Sequence, residues 1–188
     1  ALATEWIRDI FPKLGWKIVA AEVQYRVQFT ETLVFPFKFD LLIEHNSELW
    51  VVDHKFLYDF YTQQMINIFP QTPKYIFGLR QHGIKVVGAK YNMLRTRKVN
   101  KVEDRFCIRE TRPNEFRIKD AITEQMLNMK KIEANEKNPE YRPMRSANKM
   151  NCGHCGFADL CEFEARGEST KLMREAFYEP NEYGYEDD

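Results

Sequence analysis

No stretch of the 188-residue chain approaches the ~20 consecutive apolar residues that a membrane-crossing helix needs. Its opening, ALATEWIRDI, lacks the charged-then-apolar order of a secretory leader. No membrane role is expected, and the reading is of a soluble, intracellular chain. Ala1 stands where a methionine would begin translation, so natural residues upstream of it are expected. There is no internal repeat and no low-complexity segment, which argues against repeat architectures. Net charge is also lacking: 28 Lys and Arg balance 28 Asp and Glu, which argues against a generic polyanion binder. Cysteine is scarce, four residues with none before Cys107, and no histidine precedes His45.

The chain is long enough to bury one good core, and 44% of its residues are hydrophobic. Its charge is unevenly spread. Residues 80–119 hold twelve Lys or Arg against four acids, while the end, FYEPNEYGYEDD, is acidic. A charge run is ordinarily a solvated face. The alternative is a basic track around Arg95, Arg97, Lys98 and Lys101 that meets phosphate.

The pattern is mixed α/β. In TEWIRDIFPKLG, apolar residues recur at helical spacing, with Thr4 as cap and Gly15 as stop. Between Lys17 and Phe29 the odd positions Val19, Ala21, Val23, Tyr25, Val27 and Phe29 are apolar, which predicts one half-buried strand. VFPFKFDLLIE and ELWVVDHKF read as a hairpin joined through HNS. A polar connection leads to an apolar-periodic stretch, FPQTPKYIFGLRQHG, followed by strands in IKVVGAKYNMLRT and RFCIRE. A helix from about Ile118 to Asn135 presents Ile122, Met126, Met129 and Ile132 as a packing face, and Trp6, Trp16 and Trp50 read as core or partly buried aromatics.

The segment LWVVDHKF places an acid and a lysine in an otherwise apolar strand. Side chains two apart share a face, so Asp53 and Lys55 project together, while Trp50, Val52, His54 and Phe56 project the other way. In the preceding strand Asp40 shares a face with Lys38 and Leu42, opposite Phe37, Phe39 and Leu41. Pairing the two strands brings Asp40 near Asp53. Adjacent carboxylates repel unless a cation lies between them, which suggests a hard divalent metal. A lone D-x-K is ordinarily an exposed salt bridge of little worth. Glu22, on the polar face of its strand, lies where it could reach the same cleft.

FPFKFD, twelve residues and then DHK resembles the acidic and D-x-K motifs of the PD-(D/E)XK nucleases. The later chain is similar to their RecB-like branch, which includes CRISPR-associated exonucleases and AddB-type recombination nucleases. QTPKY supplies Gln71 and Tyr75 at that branch's Q-x-x-x-Y spacing, and CGHCGFADLC supplies Cys152, Cys155 and Cys161 in its C-x2-C-x5-C pattern. The resemblance runs from about residue 17 to 165. It departs at Phe37, where the family often has Gly, and in lacking a first-helix His, which either lay upstream of Ala1 or is dispensed with. Pro73 could begin the helix with Thr72 as cap, leaving Gln71 outside it; Gln63 or Gln64 could then substitute.

The resemblance implies a restriction-endonuclease-like core, a mixed sheet flanked by helices, over residues 1–143. A cysteine-bound metal-cluster segment over 144–170 and a flexible acidic tail over 171–188 follow. It implies phosphodiester hydrolysis of DNA, at single strands or ends, in recombination, repair or phage DNA metabolism. Asp40, Asp53 and the backbone carbonyl of His54 hold Mg2+ or Mn2+ in this reading. Lys55 orients water, and Gln71 and Tyr75 position the substrate strand. The three clustered cysteines imply a structural four-iron four-sulfur cluster whose fourth ligand is Cys107 or a cysteine upstream of Ala1; zinc, with His154 as a further ligand, is the alternative. Other recombination or replication proteins, or self-association, are the further partners considered, in the cytoplasm of a bacterial or phage-infected cell. A catalytically silent DNA-binding or scaffold subunit is the competing function.

Overall fold

The structure is a computed structural model that describes residues 2–29, 34–101, 103–138, 140 and 152–179. The chain divides into two compact units, residues 1–139 and 140–188.

The first unit is built on a five-stranded sheet ordered β1-β4-β5-β6-β7, comprising β1 (Lys17–Ala21), β4 (Leu41–His45), β5 (Glu48–Leu57), β6 (Val86–Arg95) and β7 (Phe106–Thr111). A separate ribbon pairs β2 (Gln24–Gln28) with β3 (Val34–Lys38). The sheet is mixed: β5 and β6 run parallel, and the other neighbours are antiparallel. The parallel pair requires a crossover, which α2 (Gln63–Ile68) and α3 (Gln71–Gln81) supply. The β4–β5 hairpin turns on Asn46 and Ser47, both with positive φ, as a two-residue turn matched to strand twist demands.

The expected strand from Lys17 to Phe29 is two strands in two different sheets. Glu22 breaks it, with φ at 54°, and its N–H donates to the carbonyl of Asp40 at 2.9 Å. VFPFKFDLLIE breaks in the same way, at Phe39–Asp40, where the chain leaves the ribbon for the central sheet. The expected alternation therefore fails at that point. Leu42 joins Phe37 and Phe39 in the main core instead of facing away from them, and Leu41 packs with Ile43, Trp50 and Val52 on the other side.

The first helical segment also differs from expectation. It starts at Leu2, so Thr4 lies inside α1 (Leu2–Glu5) and does not cap it; a π turn over Trp6–Ile10 and a 3-10 turn over Phe11–Lys13 follow. Pro12 lacks an N–H, which favours tightening of the backbone there. Gly15 follows with positive φ. Trp6 and Trp50 are buried and Trp16 is half-buried.

α3 ends in a Schellman arrangement. Ile84 N–H reaches Leu79 O at 2.9 Å and Gly83 N–H reaches Arg80 O at 3.0 Å, with Gly83 supplying the positive φ. The helix lies tightly on the ribbon: a Cβ on Gly78 would sit 2.4 Å from the Phe37 ring and 2.6 Å from Val27. α4 (Glu115–Glu136) is capped by Asn114, whose side chain accepts the N–H of Arg117 at 2.9 Å. Its buried face is Ile118, Ala121 and Ile122. The expected packing face runs out beyond them, with Met126 and Met129 half-buried and Ile132 exposed.

The second unit contains α5 (Ala158–Ala165) and α6 (Lys171–Phe177). Residues 171–177, read from sequence as flexible tail, are thus helical. The Pro-containing linker at 141–151 and the acidic end at 180–188 lie outside the described residues. Among the described residues no helix is long and apolar enough to cross a membrane.

Candidate active site

The site forms where β4 begins, because β5 is longer than its neighbour. β4 pairs with β5 only as far as Leu41 opposite Val52, so the next residues of β5 extend beyond the hairpin. Asp40 occupies the junction, and one carboxylate oxygen, Oδ2, accepts the backbone N–H of His54 at 2.6 Å. In an extended strand the N–H and C=O of one residue point to the same edge. The carbonyl of His54 therefore faces the side on which Asp40 lies.

Asp53 is 5% exposed, on the face of β5 that carries Val51 into the main core. Lys55 Nζ lies 2.7 Å from its Oδ2. The sequence-derived pair is therefore real but is no exposed surface bridge. That same Oδ2 is buried, and the Lys55 ammonium is its partner. Burial raises the Asp53 pKa above the ordinary carboxylate value; Lys55 works against that, and the nearby Asp40 charge adds to it.

Gln71 lies inside α3, at its first residue. Pro73 follows two positions later without disruption, because the first N–H groups of a helix have no intrahelical partner to lose. Gln71 and Tyr75 therefore share a face. Gln71 Nε2 donates to Asp53 Oδ1 at 3.1 Å and to the Tyr75 hydroxyl at 2.6 Å, and that hydroxyl donates to the carbonyl of Lys38 at 3.0 Å. These polar atoms orient Asp53 and tie α3 to the ribbon. Burial pushes the Tyr75 phenol up to about 12. Gln63 is turned elsewhere, its amide donating to the carbonyl of Glu110 at 2.8 Å, and Gln64 is exposed.

The His54 ring points away from Asp53, as strand alternation requires. Trp6 meets it edge-on at 5.2 Å between centroids, and Asn92 Nδ2 lies 2.7 Å from its Nδ1. Asn92 is fully buried and is a site-supporting residue that the sequence reading missed; its only sequence signal is a polar residue inside the apolar run of β6. Glu22 does lie beside the site through its backbone, but its carboxylate is engaged with Lys38 Nζ at 2.9 Å.

The basic track is heterogeneous. Arg95 stacks over the Phe60 ring at 4.1 Å, Arg97 pairs with Asp59 at 2.8 Å, and Lys98 and Lys101 are exposed. Tyr58 and Phe60, which receive these arginines, were also missed from sequence.

Cys152, Cys155 and Cys161 are free and exposed, and Cys107 is a half-buried thiol on β7. Phe157 N–H donates to Cys155 Sγ at 3.4 Å. Among the described residues no three His, Cys, Asp or Glu side chains are gathered into a group that could hold a metal, so Cys152, Cys155 and Cys161 are not drawn together as a ligand set. Cys161 is carried on α5, whereas Cys152 and Cys155 precede that helix. The donor set around Asp53 differs in kind. Two carboxylates and a carbonyl are hard oxygen ligands, and Asp40 and Asp53 bring two negative charges close together where a divalent cation would offset them, so these residues fit Mg2+ or Mn2+.

No curated protein matches the sequence. Among solved structures, one from Eubacterium rectale, provisionally described as an exonuclease, is similar at 18% identity and a TM-score of 0.54, covering 85% of this chain and 57% of its own. The crystal structure of SSO0001 is similar at 14% identity and a TM-score of 0.46, covering 85% of this chain and 66% of its own. This chain therefore spans less than two thirds of either, and at these identities the likeness concerns the fold. The family model of the PD-(D/E)XK nuclease superfamily matches residues 2–162. With that match over most of its length, the chain belongs to the PD-(D/E)XK nuclease superfamily.

Proposed function

We propose that this protein is a metal-dependent deoxyribonuclease that hydrolyses phosphodiester bonds at single strands or ends. The observation that carries the reading is the buried Asp53 carboxylate, fixed by Gln71 on one oxygen and facing Lys55 on the other, beside an Asp40 held by the His54 N–H. Asp40, Asp53 and the His54 carbonyl would hold Mg2+ or Mn2+. The bound ion supplies Lewis acidity toward the phosphoryl oxygens and makes water a stronger nucleophile.

The residues of the chain do the rest. Lys55 places its ammonium where charge develops on the phosphoryl oxygens and orients the attacking water. Gln71 holds the Asp53 carboxylate in one rotation, and Tyr75 holds Gln71 through the carbonyl of Lys38. The basic segment around Arg95, Arg97, Lys98 and Lys101 supplies attraction for the phosphate backbone. Incubation of the purified protein with Mn2+ or Mg2+ and end-labelled single-stranded and duplex DNA tests the reading. Metal-dependent shortening of the label that is absent in Asp53→Asn is expected. Retained binding without cleavage in the wild type would leave the silent DNA-binding subunit as the function.

The iron-sulfur assignment rests on the spacing of Cys152, Cys155 and Cys161 alone. Iron, sulfide and zinc analysis of anaerobically purified protein distinguishes the cluster from a zinc site and from free thiols.

A further inference from the structure

Arg95 differs from the other cations of the basic track. It ends β6 in direct register with Leu57, two residues beyond Lys55 on β5. Paired residues of neighbouring strands share a face, so Arg95 lies on the face that carries Asp53 and Lys55. Its guanidinium lies 4.1 Å from the centre of the Phe60 ring. Its Nε is buried and has no hydrogen-bond partner among the described residues. Among the described residues no carboxylate pairs with it, although Arg97, two positions on, is paired with Asp59 at 2.8 Å.

A half-buried guanidinium without a counter-ion carries a desolvation cost that a bound anion would remove. The Phe60 ring packs against the group and restricts its movement, while its terminal N–H groups have no carboxylate partner among the described residues. A planar fork held in this way suits two-point recognition of a phosphate. Strand geometry sets the position: about 7 Å along the sheet from Lys55 and one strand, about 4.8 Å, to the side. That spacing is of the order of one nucleotide step from the phosphodiester that Lys55 addresses.

We propose that Arg95, oriented by Phe60, holds a phosphate group of the substrate strand next to the one that is cleaved. The inference rests on the hydrolytic reading for what it calls substrate, but its test is made by binding alone. The ligand chemistry is a phosphate dianion or diester anion, either internal to the strand or at its end.

The experiment measures equilibrium binding of a labelled single-stranded oligonucleotide to the full chain without divalent metal, across a salt series. Wild type is compared with Arg95→Gln, Arg95→Lys and Phe60→Leu, each first shown to melt as the wild type does. Arg95→Gln is expected to weaken binding about 10-fold and to lower the salt slope by about 0.7. Arg95→Lys should recover only part of the loss, and Phe60→Leu should lose affinity with the charge still present. Neutral methylphosphonate linkages, placed one at a time, should weaken the wild type at one position and leave Arg95→Gln unaffected there. If the sensitive group is instead an end phosphate, removing it with phosphatase should produce that same non-additive loss. Wild-type and Arg95→Gln proteins of equal affinity, or losses that simply add for every linkage and for the end phosphate, would overturn the proposal, as would wild-type protein that binds no oligonucleotide. A wild type that binds through Arg95 yet never cleaves would instead remove the hydrolytic reading and leave the phosphate site standing.

Discussion

Nδ2 of Asn92 lies 2.7 Å from Nδ1 of His54, on the far side of β5 from Asp53. The amide nitrogen can only donate, so Nδ1 accepts and the ring proton belongs on Nε2. Burial lowers the His54 pKa, which agrees with a neutral ring. The peptide whose N–H grips Asp40 is thus held from behind by a buried amide. Asn92→Ala should cost about 1–3 kcal/mol in chemical denaturation, because it leaves Nδ1 buried without its donor. It should also raise the metal concentration needed for half-maximal cleavage. An unchanged metal requirement would reduce Asn92 to a core residue.

Asp53→Asn should abolish cleavage without loss of stability. The folded-state pKa of Asp53 is raised, chiefly by burial, so the stability linked to this group is full below its unfolded pKa and is lost as pH rises through the folded value. At neutral pH and without metal the ionised carboxylate is therefore a burden that Asn relieves. A melting temperature at or above wild type, with activity down by at least about 100-fold, is the expected pair of results.

Lys55→Ala should fall by a similar factor in activity but behave oppositely in stability, since Asp53 Oδ2 then loses its ionic partner. Thermal melts of the two variants side by side separate these effects. A Lys55→Ala protein as active as wild type would remove the lysine from the reaction.

Tyr75 and Tyr91 both have phenols pushed up to about 12 from the ordinary 10.0, first by burial. For each, the unfolded chain ionises before the folded one, so stability is intact below pH 10 and declines as pH climbs toward 12. Melting curves through that window should show the decline, and Tyr75→Phe should make it shallower. A melting temperature flat across the window would mean that these phenols titrate freely in the folded state.

Gly78→Ala should destabilise by about 1–3 kcal/mol, because the added methyl must displace the Phe37 ring or the Val27 side chain. The midpoint of urea unfolding reads this directly. An unchanged midpoint would show that the ribbon can lift from α3 at no cost.

Much of this was legible in the sequence where one physical signal acted alone. The Asp53–Lys55 pair followed from strand alternation, and the hairpin beneath it from Asn46 and Ser47. The helix bearing Gln71 and Tyr75 is legible but its first residue is not, because Pro73 is equally acceptable at several positions of a first turn. What could not be read were the breaks at Glu22 and Asp40. Apolar alternation continues through both, and only tertiary pairing shows that one chain segment serves two sheets. α2 was missed because six residues with one buried side chain, Ile66, have no periodicity to detect. The Asn92–His54 contact depends on register between strands distant in sequence, and the Arg95–Phe60 stack on a loop residue meeting the end of a distant strand, neither of which composition encodes.

The Asp40 junction has a mechanical consequence. This carboxylate is anchored neither in the ribbon nor in the regular part of the sheet; it is the joint where one passes into the other. On one side the ribbon is seated on α3 by the contact of Phe37 with Gly78, and on the other the chain is pinned by the His54 N–H. The two supports hold the same residue from opposite sides, so loosening either one gives Asp40 more freedom to shift. Its position is therefore set jointly by an aromatic contact and a hydrogen bond, and residues that never meet substrate would share control of where a metal lies.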